Sequence, residues 1–178
     1  EETYSLNYKR PDSIGKLQGF YGNFGIMVRA YAFIRACGPD GLKKISENSV
    51  INANYIMESL KDLYSLPYPG PCMHEFVLSG SNQKSKGVRT ADMAKRILDY
   101  GLHAPTVYFP LIVSEALMIE PTESESRESC DQFIEVMKKI AQEVEENPEL
   151  VKGAPYNTPV SRLDEVKATK DLNVRWKG

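Results

Sequence analysis

The stretch Asp99–Glu125, DYGLHAPTVYFPLIVSEALMIEPTESE, constrains the fold of this chain more than any other, because it joins the end of one helix to the start of another through two short strands. Gly101 closes a helical pattern, and glycine best tolerates the left-handed backbone common just past a helix end. HAPTVYFP reads as a strand held between Pro105 and Pro110, and EALMIE reads as a second, apolar strand. Thr122 and Glu125 have the spacing of a capping box, which predicts a helix start there. One polar island, His103 to Thr106, is left without a structural duty. It is the first place to look for chemistry.

Upstream, Ser13 to Gly38 is helical but unusual. Phe20, Tyr21, Phe24, Ile26, Met27, Val28, Tyr31, Phe33 and Ile34 go most of the way round a helix, which predicts burial on several sides. Gly15, Gly19, Gly22 and Gly25 each cost a helix about 1 kcal/mol relative to alanine, so the helix proper is predicted from Phe24, with GFYGN as an irregular approach. Those glycines serve either close backbone packing or a loop whose bare amides face an anion at the helix start. Arg29 is expected to be buried and therefore paired. Before this segment, Thr3 to Tyr8 alternates like a strand. After it, Gly38-Pro39-Asp40-Gly41 reads as a turn into an amphipathic helix of about six turns, Leu42 to Leu63. Asn48, Asn52 and Asn54 are poor helix formers within it, either solvated or facing a site or interface.

CMHEFVLSG is the next strand, with Phe76 and Leu78 on one face, and SGSNQKSKG is read as a mobile polar loop. Thr90 is expected to cap a short helix with a stripe of Met93, Ala94, Ile97 and Leu98. Cys130, Phe133, Ile134, Met137, Ile140, Ala141 and Val144 form the stripe of a helix ending near Asn147-Pro148. Beyond Glu149 the chain is polar and irregular, ordered only if it lies across another surface. The order predicts an α+β layer, an α/β sandwich in which a small, mainly antiparallel sheet carries helices on one face and a long linking helix joins it. The expected division is residues 1–38 for a strand and the linking helix, 39–147 for a small domain, and 148–178 for the tail.

Composition narrows the function. A formal charge of -2, with no Lys/Arg cluster among aromatics, offers no footprint for nucleic acid. Cys37, Cys72 and Cys130 lack zinc spacing and are expected to be free, buried thiols; with only two histidines, no metal site is expected. No apolar run reaches the ~18 residues of a membrane helix, and the N-terminus has no signal-peptide core, so a cytoplasmic protein with no membrane contact is expected. The start without Met suggests a processed or excised piece. The acids of EPTESE are expected to serve the helix start, the alternative being a catalytic carboxylate at Glu120 or Glu123. His74 is expected to be structural. There is no GxSxG, Walker loop, GxGxxG after a strand, or HExxH.

The residues go further than the spacing does. SIGKLQGFYGNFGIMVRAYAFIRACGPDGLKKISENSVINANYIMESL, CMHEFVLSG, GVRTADMAKRILDYGLHAPTVYFPL and ALMIEPTESES together resemble the C-terminal part of the glycine cleavage system P-protein, glycine dehydrogenase (aminomethyl-transferring). INANY, DYGLHAPT and EPTESE are the most specific motifs, and the closing TPVSRLDEVKATKDLNVRW resembles the second subunit of the two-subunit form. The resemblance implies an oxidoreductase of glycine catabolism and the C-terminal small domain of a fold type I pyridoxal 5'-phosphate-dependent transferase. Its reaction decarboxylates glycine and passes the aminomethyl group to the lipoyl arm of H-protein, the cofactor acting as electron sink. It further implies a Schiff-base lysine in an upstream domain, no catalytic residue in this chain, no activity or cofactor binding by the isolated fragment, and a first P-protein subunit as partner. Two places are expected to reach the site: Tyr21, Gly22 and Asn23 near the cofactor phosphate, and His103, Thr106 and Arg29 near substrate. The second strand lacks the carboxylate-binding arginine of related decarboxylases, leaving Arg29, Arg89 or the upstream domain for that task. The isolated apolar helix is expected to self-associate. The alternatives are a stand-alone protein-interaction or oligomerisation domain, and a small enzyme pairing His103 with Glu120.

Overall fold

The computed structural model describes residues 3–5, 7–15, 17 and 19–176. The chain divides into two compact units, residues 1–42 and 43–178.

In the first unit, the described residues of the anticipated Thr3–Tyr8 strand adopt no strand, since a ladder needs a neighbour and none forms there; Leu6 at its centre, and Lys16, lie outside the described residues. Helix α1, Phe24–Leu60, begins where the glycines predict. Asn23 fixes that start, its Oδ1 accepting the N–H groups of Gly25 at 3.0 Å and Ile26 at 3.4 Å. The expected burial of the residues that follow is not observed. Phe24, Ile26, Met27, Val28, Tyr31, Phe33 and Ile34 are 45–77% exposed, and Arg29 is exposed with them. A helix apolar most of the way round needs cover on several sides, and the described residues supply none. At Gly38 the backbone takes φ 64, a conformation that suits glycine, so the anticipated turn is a kink inside α1. Pro39 is tolerated because it opens a new helical run, where its missing N–H is not required.

In the second unit, α1 contributes Ala53, Ile56, Met57 and Leu60 to the core. Asn54 is a latch. Its Nδ2 donates to the carbonyls of Val50 and Cys72, both at 2.8 Å, and its Oδ1 accepts the Cys72 N–H at 3.0 Å, pinning the end of the proline-rich return to the helix. Then come β1 (Phe76–Ser79), α2 (Ser81–Lys84), α3 (Thr90–Asp99), β2 (Thr106–Val107), β3 (Ala116–Ile119), α4 (Arg127–Glu146), α5 (Pro148–Gly153) and α6 (Glu165–Lys170). The strands form one antiparallel sheet in the order β1-β3-β2. The pairs Phe76↔Ile119 and Leu78↔Leu117 share one face and enter the core, as the period of two requires. Met118 faces the other way, paired with Val77 on one side and Thr106 on the other. The helices add Met93, Ile97, Ile134, Met137, Ile140 and Val144, and Tyr64 is buried with its hydroxyl donating to Met137 O at 2.8 Å. The result is the anticipated α+β arrangement, a long helix with a small three-stranded antiparallel sheet.

Four local expectations are corrected. The polar segment after β1 is folded: α2 occupies it, and Gln83 is buried with its Nε2 donating to Leu63 O at 3.0 Å. Thr90 does not cap α3. Arg89 holds the cap position, its N–H donating to Asp92 Oδ2 at 2.9 Å, while Thr90 turns inward and donates its hydroxyl to Glu115 O at 2.9 Å. Thr122 and Glu125 close a turn (N to O, 3.2 Å), and α4 starts later with Ser126 Oγ accepting the Ser129 N–H at 3.1 Å. A serine nearer the apolar stripe outcompetes the more distant threonine. Finally, the tail is not irregular at its root. α5 packs on α3 and α4 through the fully buried Val151, and Asp99 Oδ1 accepts the N–H groups of Tyr156 at 2.5 Å and Asn157 at 2.8 Å. Of the cysteines, Cys130 is buried and Cys37 and Cys72 are half-buried; all are free.

Candidate functional site

In the second unit a cavity of about 480 Å³ lies where the β2–β3 edge of the sheet meets the first turns of α4. Ile56, Met118, Cys130 and Phe133 give it an apolar lining, while His103, Thr106, Glu120 and Glu125 supply polar groups. The polar island left over by the sequence therefore borders a real space. Gly101, at φ 74, ends α3 and turns the chain so that residues 102–105 run along the cavity, and the Thr106↔Met118 pairing sets Thr106 against it. The opposite wall is fixed by Asn52, whose Nδ2 donates to Thr122 O at 3.0 Å and Glu125 O at 3.2 Å. Sequence reasoning flagged that asparagine only by its poor fit to a helix interior; a side chain spanning two carbonyls of a loop is the reason for it. Asn48 is solvated.

The β2–β3 connection is tied down by Glu115, which sequence reasoning missed. Its backbone adopts φ 53, its Oε1 lies 2.8 Å from Lys84 Nζ, its Oε2 accepts the Thr90 N–H at 3.0 Å, and its carbonyl accepts the Gly80 N–H at 2.9 Å. Burial alone would raise its pKa, yet Lys84 and Thr90 outweigh burial and hold the carboxyl below its usual value. Gly80 leaves room for this contact, since a Cβ there would meet Met93 Cε at 2.5 Å and Thr90 Oγ1 at 2.8 Å.

The cavity does not hold a complete set for catalysis. Among the described residues Glu120 approaches His74, Nε2 to Oε1 at 3.9 Å with both side chains about half-exposed, and no hydrogen bond joins it to His103. Burial raises the Cys130 thiol, with Glu125 and Asp131 adding to the effect, so it stays protonated rather than nucleophilic. Of the expected substrate-proximal residues, the structure brings His103 and Thr106 together at one cavity; Arg29 sits in the first unit, as do Tyr21, Gly22 and Asn23, all exposed. Arg89 serves the start of α3. Among the described residues no group of three or more His, Cys, Asp and Glu is placed to hold a metal ion, and no helix is long and apolar enough to cross a membrane.

The second unit's most enclosed ion pair lies in another cluster. Arg96 meets Glu143 through two parallel bonds, Nε to Oε2 and Nη2 to Oε1, both at 2.8 Å; Asp99 Oδ2 is 3.2 Å from Nη1, and the Tyr100 hydroxyl donates to Glu143 Oε1 at 2.5 Å. Burial would raise Glu143, but Arg96 and Tyr100 hold it below its usual range, while Glu143 pushes Arg96 up. All three Arg96 nitrogens and both carboxylates are engaged with one another, which marks the cluster as structural.

The second unit is thus an α+β domain, a small antiparallel sheet packed with helices and bordered by a cavity with both apolar and polar lining. A family model described as "Glycine dehydrogenase, C-terminal domain" matches residues 45–157, and the chain belongs to that family. It is 61% identical over 173 residues to "Probable glycine dehydrogenase (decarboxylating) subunit 2" of Chlorobium phaeobacteroides, covering 97% of this chain and 36% of the relative. The protein of the same description from Listeria monocytogenes serotype 4b is 58% identical over 176 residues, covering 99% of this chain and 36% of the relative. The chain thus spans about a third of the length of these curated relatives.

Proposed function

We propose that this chain is the C-terminal part of the second subunit of the glycine cleavage system's decarboxylating glycine dehydrogenase, a pyridoxal-phosphate enzyme of the fold type I class. The observation that carries the reading is likeness over nearly the whole chain to proteins described as subunit 2, of which it supplies about a third. In the complete enzyme the cofactor acts as an electron sink for loss of the glycine carboxylate. By themselves Tyr21, Gly22 and Asn23 do not fit that cofactor: they are exposed, the Asn23 Oδ1 is committed to capping α1, and a Cβ at Gly22 would make only ordinary contact with Met27. No step is assigned to them. Their role in this reading is a lip beside the cofactor phosphate, completed by the part of the subunit that supplies the lysine. His103 and Thr106 line the wall of the second unit that borders the substrate side, and Arg29 is the candidate partner of the glycine carboxylate. The uncovered apolar residues of α1 support the reading, because they need cover that the remaining two thirds of a subunit can supply.

The test is replacement. A Chlorobium phaeobacteroides subunit 2 whose final third is exchanged for this chain, produced with its first subunit and given lipoylated H-protein, is expected to release carbon dioxide from glycine, whereas this chain alone is expected neither to do so nor to bind the cofactor. A folded but inactive hybrid, or robust activity by the chain alone, refutes the proposal.

A further inference from the structure

The cavity of about 480 Å³ between the β2–β3 edge and α4 carries a charge pattern that the proposed function does not use. None of the described residues lining it is a lysine or an arginine, whereas Glu120 and Glu125 are carboxylates. They come from different elements, Glu120 directly after β3 and Glu125 just ahead of α4, and both are exposed. Neither has a lysine or arginine partner among the described residues. Glu120 has only the His74 ring, 3.9 Å away, and Glu125 joins the Asn52 latch through its main-chain carbonyl, which leaves its carboxylate uncommitted. Other carboxylates of the unit are neutralised: Glu115 by Lys84, Glu143 by Arg96 and Asp92 by Arg162. The field of Glu125 reaches the apolar lining, since it adds to burial in raising the Cys130 thiol. That lining offers hydrocarbon surface to a guest, with Ile56 and Cys130 buried and Met118 and Phe133 half-buried.

We propose that this cavity is a binding site for an aliphatic primary ammonium, with the hydrocarbon on Ile56, Met118, Cys130 and Phe133 and the ammonium shared by Glu120 and Glu125. The assignment goes beyond the proposed function and does not depend on it. A phosphate or carboxylate in the same place would meet two negative charges and no cation, whereas an ammonium gains charge-assisted hydrogen bonds there. Several hundred Å³ of largely apolar space with a few polar groups is the usual form of a small-molecule site. Both walls are held before a ligand arrives, one by the Thr106↔Met118 pairing and the other by Asn52, so little ordering is lost on binding.

The experiment titrates this chain, its methionine methyls labelled with carbon-13, in parallel with hexylammonium chloride, hexanol and sodium hexanoate at about pH 8, above the ordinary titration range of imidazole. Met118 lines the cavity and its line is assigned through Met118→Leu, while Met57, Met93 and Met137 lie in the core and report any general loosening. Expected is a saturable shift of the Met118 line with the core lines unmoved, hexylammonium binding about tenfold more tightly than hexanoate and hexanol falling between them. Glu120→Gln/Glu125→Gln is expected to bring the three probes within about twofold of one another; Glu123→Gln/Glu128→Gln, the same change of charge outside the lining, is expected to keep their order. Equal affinity for hexylammonium and hexanoate in the wild type, or no saturable shift with any probe, overturns the proposal. So does an order that survives Glu120→Gln/Glu125→Gln. An order lost equally in the Glu123 and Glu128 pair reduces the preference to overall charge, and core lines that move with Met118 show an amphiphile loosening the fold; either result also overturns the site.

Discussion

Replacing Glu115 tests the account of the β2–β3 connection, because this one side chain serves a buried amide and a half-exposed lysine at once. The Lys84 side chain is 53% exposed, so its pairing with Glu115 contributes little, ~0.5 kcal/mol after screening by water. Thr90 is fully buried, and Glu115→Ala strands its N–H, at about 1–3 kcal/mol. Lost packing of the side-chain methylenes adds about 1 kcal/mol. The sum is ~2.5–4.5 kcal/mol. Glu115→Gln keeps an oxygen for the Thr90 N–H and gives up only the charge, so it is expected to cost ~1 kcal/mol. The φ of 53 does not separate the two variants, because both retain a Cβ. The pH dependence has a definite sign. A carboxyl held below its usual value contributes stability that is complete above the unfolded-state pKa, ~4.3, and is lost as pH falls through the lower folded value. The wild type is therefore expected to lose its advantage over Glu115→Gln as pH drops below ~4. Urea unfolding should be followed by far-ultraviolet circular dichroism, since Trp176 is 91% exposed and blind to the core. Glu115→Ala within ~0.5 kcal/mol of wild type, or Glu115→Gln as damaging as Glu115→Ala, refutes the reasoning.

Gly80→Ala probes the same contact from the other side. Gly80 has an ordinary φ of -79, so the expected loss of ~1–3 kcal/mol in urea unfolding comes from the approach of Met93 and Thr90 alone, and Met93→Ala in the same chain should recover part of it. Asn52→Ala should free the loop at residues 122–125, raising amide exchange at Glu125 by about tenfold while costing ~1 kcal/mol, and protection unchanged at that amide would show that the latch is not what holds the cavity wall. Glu143, like Glu115, is held low, so its share of stability is complete above ~4.3 and falls away below it; Glu143→Gln is expected to flatten the acid limb of a stability-against-pH curve, and an unchanged limb would remove Glu143 from the account.

The periodicity of apolar residues located α1, α3 and α4 and the strands β1 and β3, because those elements repeat one hydrophobic rule over several turns or pairs. Caps were read less well. Thr122 with Glu125 and Thr90 each matched a local rule, and in each case a neighbour in the folded chain took the residue for something else: Thr90 for Glu115, and the Thr122 and Glu125 carbonyls for Asn52. A three-residue spacing carries no information about a partner 25 or 70 positions away. Glu115 escaped notice for the same reason, since its importance lies in Thr90, Gly80 and Lys84, none of them near it in sequence. His103 and Thr106 stood out by the opposite logic. They were what remained once every local rule had been applied, and they lie on the cavity. The same remainder argument applies to the molecule as folded. After sheet, helices, latches and ion pairs have claimed their residues, several apolar sets stay exposed among the described residues, among them Phe24 to Ile34 on α1 and Leu111 with Ile112 ahead of β3. The chain spans about a third of its relatives' length, and the set on α1 surrounds a helix, which needs cover on several sides.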